Sequence, residues 1–196
     1  WPASVIVLHP DQDTPEEMQA KLNMVLNMVQ DPWNEEHQTH TSDYHFSTRR
    51  QAVLVSPGVY QHVSFQVGYY TQVVGLGRLP MDVVFQSRGP YVQALNRQIH
   101  PPHGTCLDTF HRAAENFATT GDLDWAVSQA APLRKVHVGG DLYLHDGAAY
   151  ASGGFLANSR VQGHLRAGGQ QQYLVRNVEL TKGATGGAWS MVYVGC

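Results

Sequence analysis

Charge and cysteine are the scarce commodities of this chain. Lys, Arg, Asp and Glu make up 15% of its 196 residues, against about 25% in an ordinary soluble domain. The net charge is −3 and no Lys/Arg run occurs. The chain therefore lacks the basic footprint that binds phosphate backbones through counterion release, and nucleic acid is not an expected partner. Only Cys106 and Cys196 are present, and their spacing makes no metal or redox motif. One bridge between them in an oxidising compartment and two free thiols both fit. No apolar run reaches the roughly 18–20 residues of a membrane span. No Asn-x-Ser/Thr sequon occurs, and there is neither an initiator Met nor a signal-peptide pattern. The expectation is a removed leader or a piece of something longer.

What is present is enough for a core. Hydrophobic residues are 42% of the chain, and one domain of this length buries roughly 70% of its unfolded surface. Ser4–Leu8 is a β-branched strand candidate. A single helix follows. Thr14, Pro15 and Glu17 form a capping box with proline at the first helical position, and Met18, Leu22, Val25, Leu26 and Val29 recur at helical spacing before Asp31-Pro32 ends the run. Such a helix can cover the open end of a stack of strands. Residues 33–50 are polar and aperiodic, a loop. Residues 1–50 thus form an N-terminal strand, capping helix and loop.

From Gln51 the pattern becomes short strands broken by glycine and proline: Ala52–Val55, His62–Val67, Gln72–Val74 and Asp82–Phe85. Residues 88–105 read as an insertion. The later part repeats. Segments 132–142 and 155–165 superpose Leu133 on Leu156, Val138 on Val161, Gly140 on Gly163 and Leu142 on Leu165, and 173–180 follows at about 18 residues. A repeat of about 20–25 residues carrying strands and glycine turns, with no helix between them, indicates a solenoid. The expected fold is all-β, a right-handed single-stranded parallel β-helix over 51–196 with the helix capping its N-terminal end. A Greek-key sandwich is the alternative. Asn116, Asn158 and Asn177 fall at related places and suggest an asparagine ladder.

The strings AVLVSPGVY (52–60), VGYYTQVVGLG (67–77), WAVSQAAPLRKVHV (125–138), ASGGFLANS (151–159), QQQYLVRN (170–177) and WSMVYVG (189–195) resemble a family of large pectin-lyase-like proteins. Its bacterial, fungal and algal members are often labelled discoidin-domain-containing or adenylyl-cyclase-like. The resemblance covers roughly residues 50–195. It implies a secreted or cell-surface protein that handles carbohydrate, and a chain that is the first β-helix of two. A second β-helix domain or a partner chain would then lie at its C-terminal end. The tandem architecture is similar to that of the exo-β-1,3-glucanases of glycoside hydrolase family 55, although fold alone does not give function.

On that footing the expected activity is glycoside hydrolysis of a β-glucan-type polysaccharide. Two carboxylates about 5–5.5 Å apart would retain configuration at the anomeric carbon, and about 6.5–9.5 Å would invert it. Asp108, Glu115, Asp122, Asp124, Asp141 and Asp146 are the carboxylates of the repeating region. Glu115 and Asp141 are the expected catalytic pair, set against hydrogen-bonded turn carboxylates. Trp125, Tyr143 and Tyr70 are candidate sugar-stacking residues, set against packing within the coils. Tyr69 and Tyr70, being adjacent, should point to opposite sides of a strand. Arg112, with His111, would bind an acidic sugar. Gly58, Gly68, Gly75 and Gly77 belong to coil corners needing positive φ. His37, His40 and their acidic neighbours, or His100 and His103, make only weak metal patterns, so no metal and no cofactor is expected. The competing class is a non-catalytic structural or glycan-binding module within an extracellular assembly.

Overall fold

A computed structural model describes residues 1–26, 33–34, 39–40, 50–94 and 106–196. The side chains of Val25, Leu26 and His40, together with Val29, Glu35, Glu36, His37, Asp43, His45, His100 and His103, lie outside the described residues.

The N-terminal segment follows its sequence signals. Val5–Leu8 is a strand, and the helix Pro15–Leu26 starts where the capping box requires. The Thr14 amide donates to Glu17 Oε2 at 2.8 Å and the Glu17 amide to Thr14 Oγ1 at 3.2 Å. These two bonds satisfy amides that a helix start leaves unpaired. Met18 and Leu22 are buried against the sheet stack. Trp33–Asn34 and Thr39–His40 pair antiparallel, inside the stretch expected to be loop.

The rest is built on parallel sheets. Among the described residues the larger sheet has ten strands. Its main path runs from Val5–Leu8 through Gln51–Val55, Thr71–Gly75, Ala113–Thr119, Pro132–Val138, Phe155–Val161 and Gln172–Leu180 to Ser190–Val194. A smaller sheet stacks Leu123–Asp124, Leu142–Tyr143, Leu165–Gly168 and Ala184–Gly186 in the same order. The chain therefore visits the large sheet, then the small one, and returns one layer further on.

The repeat read from the sequence is the physical register. Leu133 lies opposite Leu156, Val138 opposite Val161 and Leu142 opposite Leu165. The third copy arrives with Leu156 opposite Val175, one residue later than its expected spacing. All of these leucines and valines are fully buried. Each such leucine contributes on the order of 2 kcal/mol of transfer free energy.

One backbone feature breaks simple alternation. Asn116, Lys135, Asn158 and Asn177 occupy the same place in successive strands, and all have positive φ, at 63°, 50°, 52° and 52°. The left-handed residue makes two consecutive residues face outward, so buried Leu133 and Val136 are three residues apart. The asparagine ladder is only partly realised. Asn177 Nδ2 donates to Asn158 Oδ1 at 3.3 Å, but Lys135 interrupts the column. Asn116 instead donates to the carbonyls of Gly75 and Gly77, at 2.8 and 2.7 Å.

Other expectations need correction. The strand expected over His62–Val67 covers only Ser64–Gln66, because His62 sits at φ 59°. The start of the expected insertion belongs to the stack: Gly89–Tyr91 pairs with Ser64–Gln66, and Val92 bridges Trp125. Of the four corner glycines only Gly58 has positive φ. Gly75 is required for a different reason, since a Cβ there would collide with the Asn116 carbonyl.

A candidate functional strip on the small sheet

Alternation on the small sheet sends Leu123, Trp125, Leu142, Leu144 and Leu165 inward, all with no exposed surface. The residues between them must face out. Asp124 therefore projects from the sheet, in register with Tyr143, Arg166 and Thr185 of the next layers. In the other direction the Val92–Trp125 bridge sets Tyr91 beside Asp124, and Tyr91 pairs with Gln66. The result is an outward column, Gln66, Tyr91, Asp124, Tyr143, Arg166 and Thr185, at the strand spacing of about 4.8 Å.

Asp124 is the chemical centre of this strip. Its Oδ2 forms an ion pair with Arg88 Nε at 3.2 Å and accepts from Gln93 Nε2 at 3.3 Å. The Arg88 guanidinium also lies over the Tyr91 ring, 4.6 Å from its centroid. Burial pushes the Asp124 carboxyl above the usual aspartate range; the Asp146 and Asp122 charges push the same way, and Arg88 and Gln93 oppose them. Desolvation disfavours the charged form, so it wins here over the nearby cation. Asp146 is itself anchored, its Oδ2 accepting the Ala94 amide at 2.8 Å. In the next layer Tyr143 is half-buried, with the Arg166 guanidinium 6.0 Å and the His145 ring 6.2 Å from its ring centroid. Carboxylate, guanidinium and amide groups beside aromatic planes suit a hydroxyl-rich ligand with apolar ring faces.

Asp124 is one of the carboxylates of the repeating region and lies outside the expected catalytic pair. Two signals could have found it. It sits alone between two core residues, and an offset of one layer places it beside Tyr143.

Asp141 has another job. It stands at the corner just before Leu142–Tyr143, and its Oδ1 accepts the His164 amide of the next layer at 2.7 Å. Its Oδ2 accepts from Arg166 Nε. The backbone bond from His164 comes first among the causes that hold its carboxyl below the usual range, with Arg166 adding to it. Asp122 makes the equivalent bond one layer earlier, its Oδ1 accepting the Asp141 amide at 2.8 Å. Gly140 and Gly163 are needed here, because a Cβ on either would collide with the Asp122 or Asp141 carboxylate.

Glu115 lies on the large sheet, opposite Arg134, whose Nη2 donates to Glu115 Oε2 at 2.6 Å. Gln72 Nε2 reaches Glu115 Oε1 at 3.5 Å. Glu115 thus stands on the large sheet and Asp141 at the corner before the small one, each with its own arginine, and the structure does not bring them together as a pair.

Two of the expected ligand contacts are structural. Trp125 has 0% exposure, and its indole N–H donates to the Ala131 carbonyl at 3.1 Å, so no sugar can stack on it. The outward position belongs to its neighbour. Arg112 is 3% exposed and donates through Nη1 to the Val67 carbonyl at 2.5 Å and through Nε to the Phe110 carbonyl at 3.3 Å, tying layers together rather than meeting an acidic sugar. Tyr143 stands in the strip. Tyr69 and Tyr70 are both half-buried with ring centroids 4.2 Å apart, not on opposite sides. The reason is Tyr70's φ of 51°, which ends the alternation.

Cys106 is buried and Cys196 exposed, both as free thiols. Burial pushes the Cys106 thiol up to about 12. Among the described residues no group of three or more His, Cys, Asp or Glu side chains could hold a metal ion, and no helix is long and apolar enough to cross a membrane.

No family model matches the chain. In sequence it is 37% identical over 154 residues to an exo-β-1,3-glucanase of Streptomyces sp. (strain SirexAA-E / ActE), a match covering 76% of this chain and 24% of the glucanase. In structure it matches sacteLam55A from Streptomyces sp. SirexAA-E with a TM-score of 0.75 at 33% identity, over 97% of this chain and 32% of that one. A variant of sacteLam55A in complex with glucose matches at 0.77 and 34%, over 99% and 32%. The chain is thus related in sequence and fold to this glucanase, and it spans about a quarter to a third of the relatives' length. The relation supports the glucanase side of the sequence resemblance alone.

Proposed function

We propose that this chain is a right-handed, single-stranded parallel β-helix belonging to a secreted or cell-surface glycoside hydrolase-like protein that acts on a β-glucan-type polysaccharide. The 37% identity to an exo-β-1,3-glucanase carries this reading. Residues 1–50 cap the stack and 51–196 form its coils, as the N-terminal half of a tandem protein. A second β-helix domain or partner chain then packs at the C-terminal end. In support, Val192, Tyr193 and Val194 of the last large-sheet strand are 51%, 40% and 51% exposed.

Within this reading the small-sheet strip holds the glucan. Asp124 accepts sugar hydroxyls, Arg88, Gln93 and Arg166 donate to them, and the Tyr143 ring offers an apolar surface. Burial raises the Asp124 carboxyl above the usual aspartate range, so it keeps its proton to higher pH than an ordinary aspartate. Glycoside hydrolysis needs two carboxylates across one bond. Glu115 lies on the large sheet and Asp141 at the corner before the small one, each held by its own arginine, so these two do not serve as that pair within this chain. The same observation favours the second reading, in which this chain by itself is a non-catalytic glycan-binding module.

Titration of the intact chain with β-1,3-linked gluco-oligosaccharides, alongside an assay for released reducing sugar, separates the readings. Binding without turnover, weakened by Asp124→Asn and Tyr143→Ala, is the expected result. Turnover abolished by Glu115→Gln or Asp141→Asn would return catalysis to those residues. No binding to any β-glucan would sink the proposal.

A further inference from the structure

A second aromatic surface lies at the corner that leads into the large sheet. The register aligns Tyr70 with His111, Ala130 and Gly153 in successive layers, since Gln72 lies opposite Ala113, Ala114 opposite Leu133 and Leu133 opposite Leu156. All four have positive φ, at 51°, 53°, 54° and 101°. The backbone needs a left-handed residue at this corner, and the later layers meet that need with alanine and glycine. The two earlier layers place a tyrosine and a histidine there, ring-bearing residues where glycine would serve the backbone without strain. Strain kept where a small residue would serve points to a use for the side chain.

The rings do not build the core. Tyr69, Tyr70 and Phe110 are half-buried and His111 is exposed. Tyr69 and Phe110 form one column and Tyr70 and His111 the other, giving a two-by-two block. Its centroid separations are 4.2 Å for Tyr69–Tyr70, 5.9 Å for Tyr69–Phe110 and 5.5 Å for Tyr70–His111. The Tyr70 amide donates to the His111 carbonyl at 2.7 Å, which locks the layers in step. Exposed Arg50 lies 4.5 Å from the Tyr70 ring centroid. Aromatic planes with phenol, imidazole and guanidinium groups at their rim match a pyranose, whose axial C–H groups meet π-faces while its equatorial hydroxyls meet polar groups.

We infer that the Tyr69–Tyr70–Phe110–His111 corner is a glucan-docking platform separate from the small-sheet strip, taking glucosyl units of a β-linked polymer. It rests on the β-glucan reading above. The platform occupies the corner of the layers before Ala130, whereas Asp124 and Tyr143 lie on the small sheet, so a chain long enough to meet both gains affinity that a short one does not.

Affinity electrophoresis of the intact chain in gels containing a soluble β-1,3-glucan, an α-glucan or neither provides the test, with thermal melts in parallel. Tyr70→Gly and His111→Gly are the informative variants, because glycine removes the ring and relieves the backbone strain together. The expected result for the double variant is polymer affinity reduced by at least about tenfold, Tm equal to or above wild type, and short-oligosaccharide binding unchanged. Polymer binding within twofold of wild type in the double variant overturns the inference and leaves the β-glucan reading standing. A fall in Tm with unchanged polymer binding overturns it too, in favour of a packing role. If the wild-type chain is retarded by no β-glucan, the inference and the functional reading fall together.

Discussion

Asp141 sits at the corner before the small sheet and Asp124 on the sheet itself, and their carboxyls are pushed in opposite directions. Asp141 belongs to the corner column with Asp122 and His164, where each aspartate accepts the amide of the layer above. Two residues further along each layer runs the outward column of Asp124, Tyr143 and Arg166. At the corner a backbone N–H meets the carboxylate and holds its pKa down. On the strip no backbone amide appears among the causes acting on Asp124, and burial raises it. A corner carboxylate is therefore part of the scaffold, while a strip carboxylate is left for something else to use.

The harshest way to break this comparison is to remove the core beneath the strip. Trp125→Ala empties a fully buried site beneath the strip and should cost about 4 kcal/mol. A denaturant midpoint shift of that order is expected, and a loss below about 1 kcal/mol would show that the ring is not core.

Asp141→Ala should cost about 1.5 kcal/mol, because it strands the His164 amide while the site retains some contact with water. Asp141 has a lowered folded pKa, so its contribution is present above the ordinary aspartate range and disappears as pH falls through the folded value. The stability gap between wild type and variant should close in acid. A gap that stays constant with pH would remove the corner carboxylate from the scaffold.

Asp124→Asn should show the reverse dependence at smaller amplitude. With a raised folded pKa, Asp124 contributes stability below the ordinary aspartate range, and loses it as pH rises through the folded value. Asparagine stands in for the protonated form, so the variant should melt at or above the wild-type temperature at neutral pH despite losing the Arg88 ion pair. A clear drop in neutral-pH Tm would show that Asp124 is held as firmly as Asp141.

The mildest test sharpens the scaffold side. Lys135→Asn puts a residue that tolerates the left-handed conformation between Asn116 and Asn158, and should stabilise by about 0.5 kcal/mol. A lower Tm would mean that the lysine side chain serves the column better than an amide does.

Much of the scaffold was legible before the structure. The capping box at Thr14 and Glu17 is a local pattern, and it forms as written. The equivalences of Leu133 with Leu156 and Leu142 with Leu165 were readable because identical inward positions recur at one offset and become strand neighbours. The site was less legible. Trp125 is a core residue that the sequence alone offers equally as a ligand contact, because large aromatics serve both cores and surfaces and composition cannot tell the two apart. Tyr70 and Lys135 escaped because nothing in their residue type announces positive φ. The scarcity of carboxylates points to Glu115 and Asp141 as a pair, whereas the place each takes, on the large sheet or at a corner, depends on where the chain turns.

The sequence by itself determined the layered parallel architecture and its period, since those follow from which apolar residues recur and how far apart. Only the tertiary structure decided that Asp141 is a bracket and Asp124 a candidate contact. That distinction depends on which amide or arginine of a neighbouring layer comes within hydrogen-bond reach, and the chain acquires those neighbours only by stacking on itself.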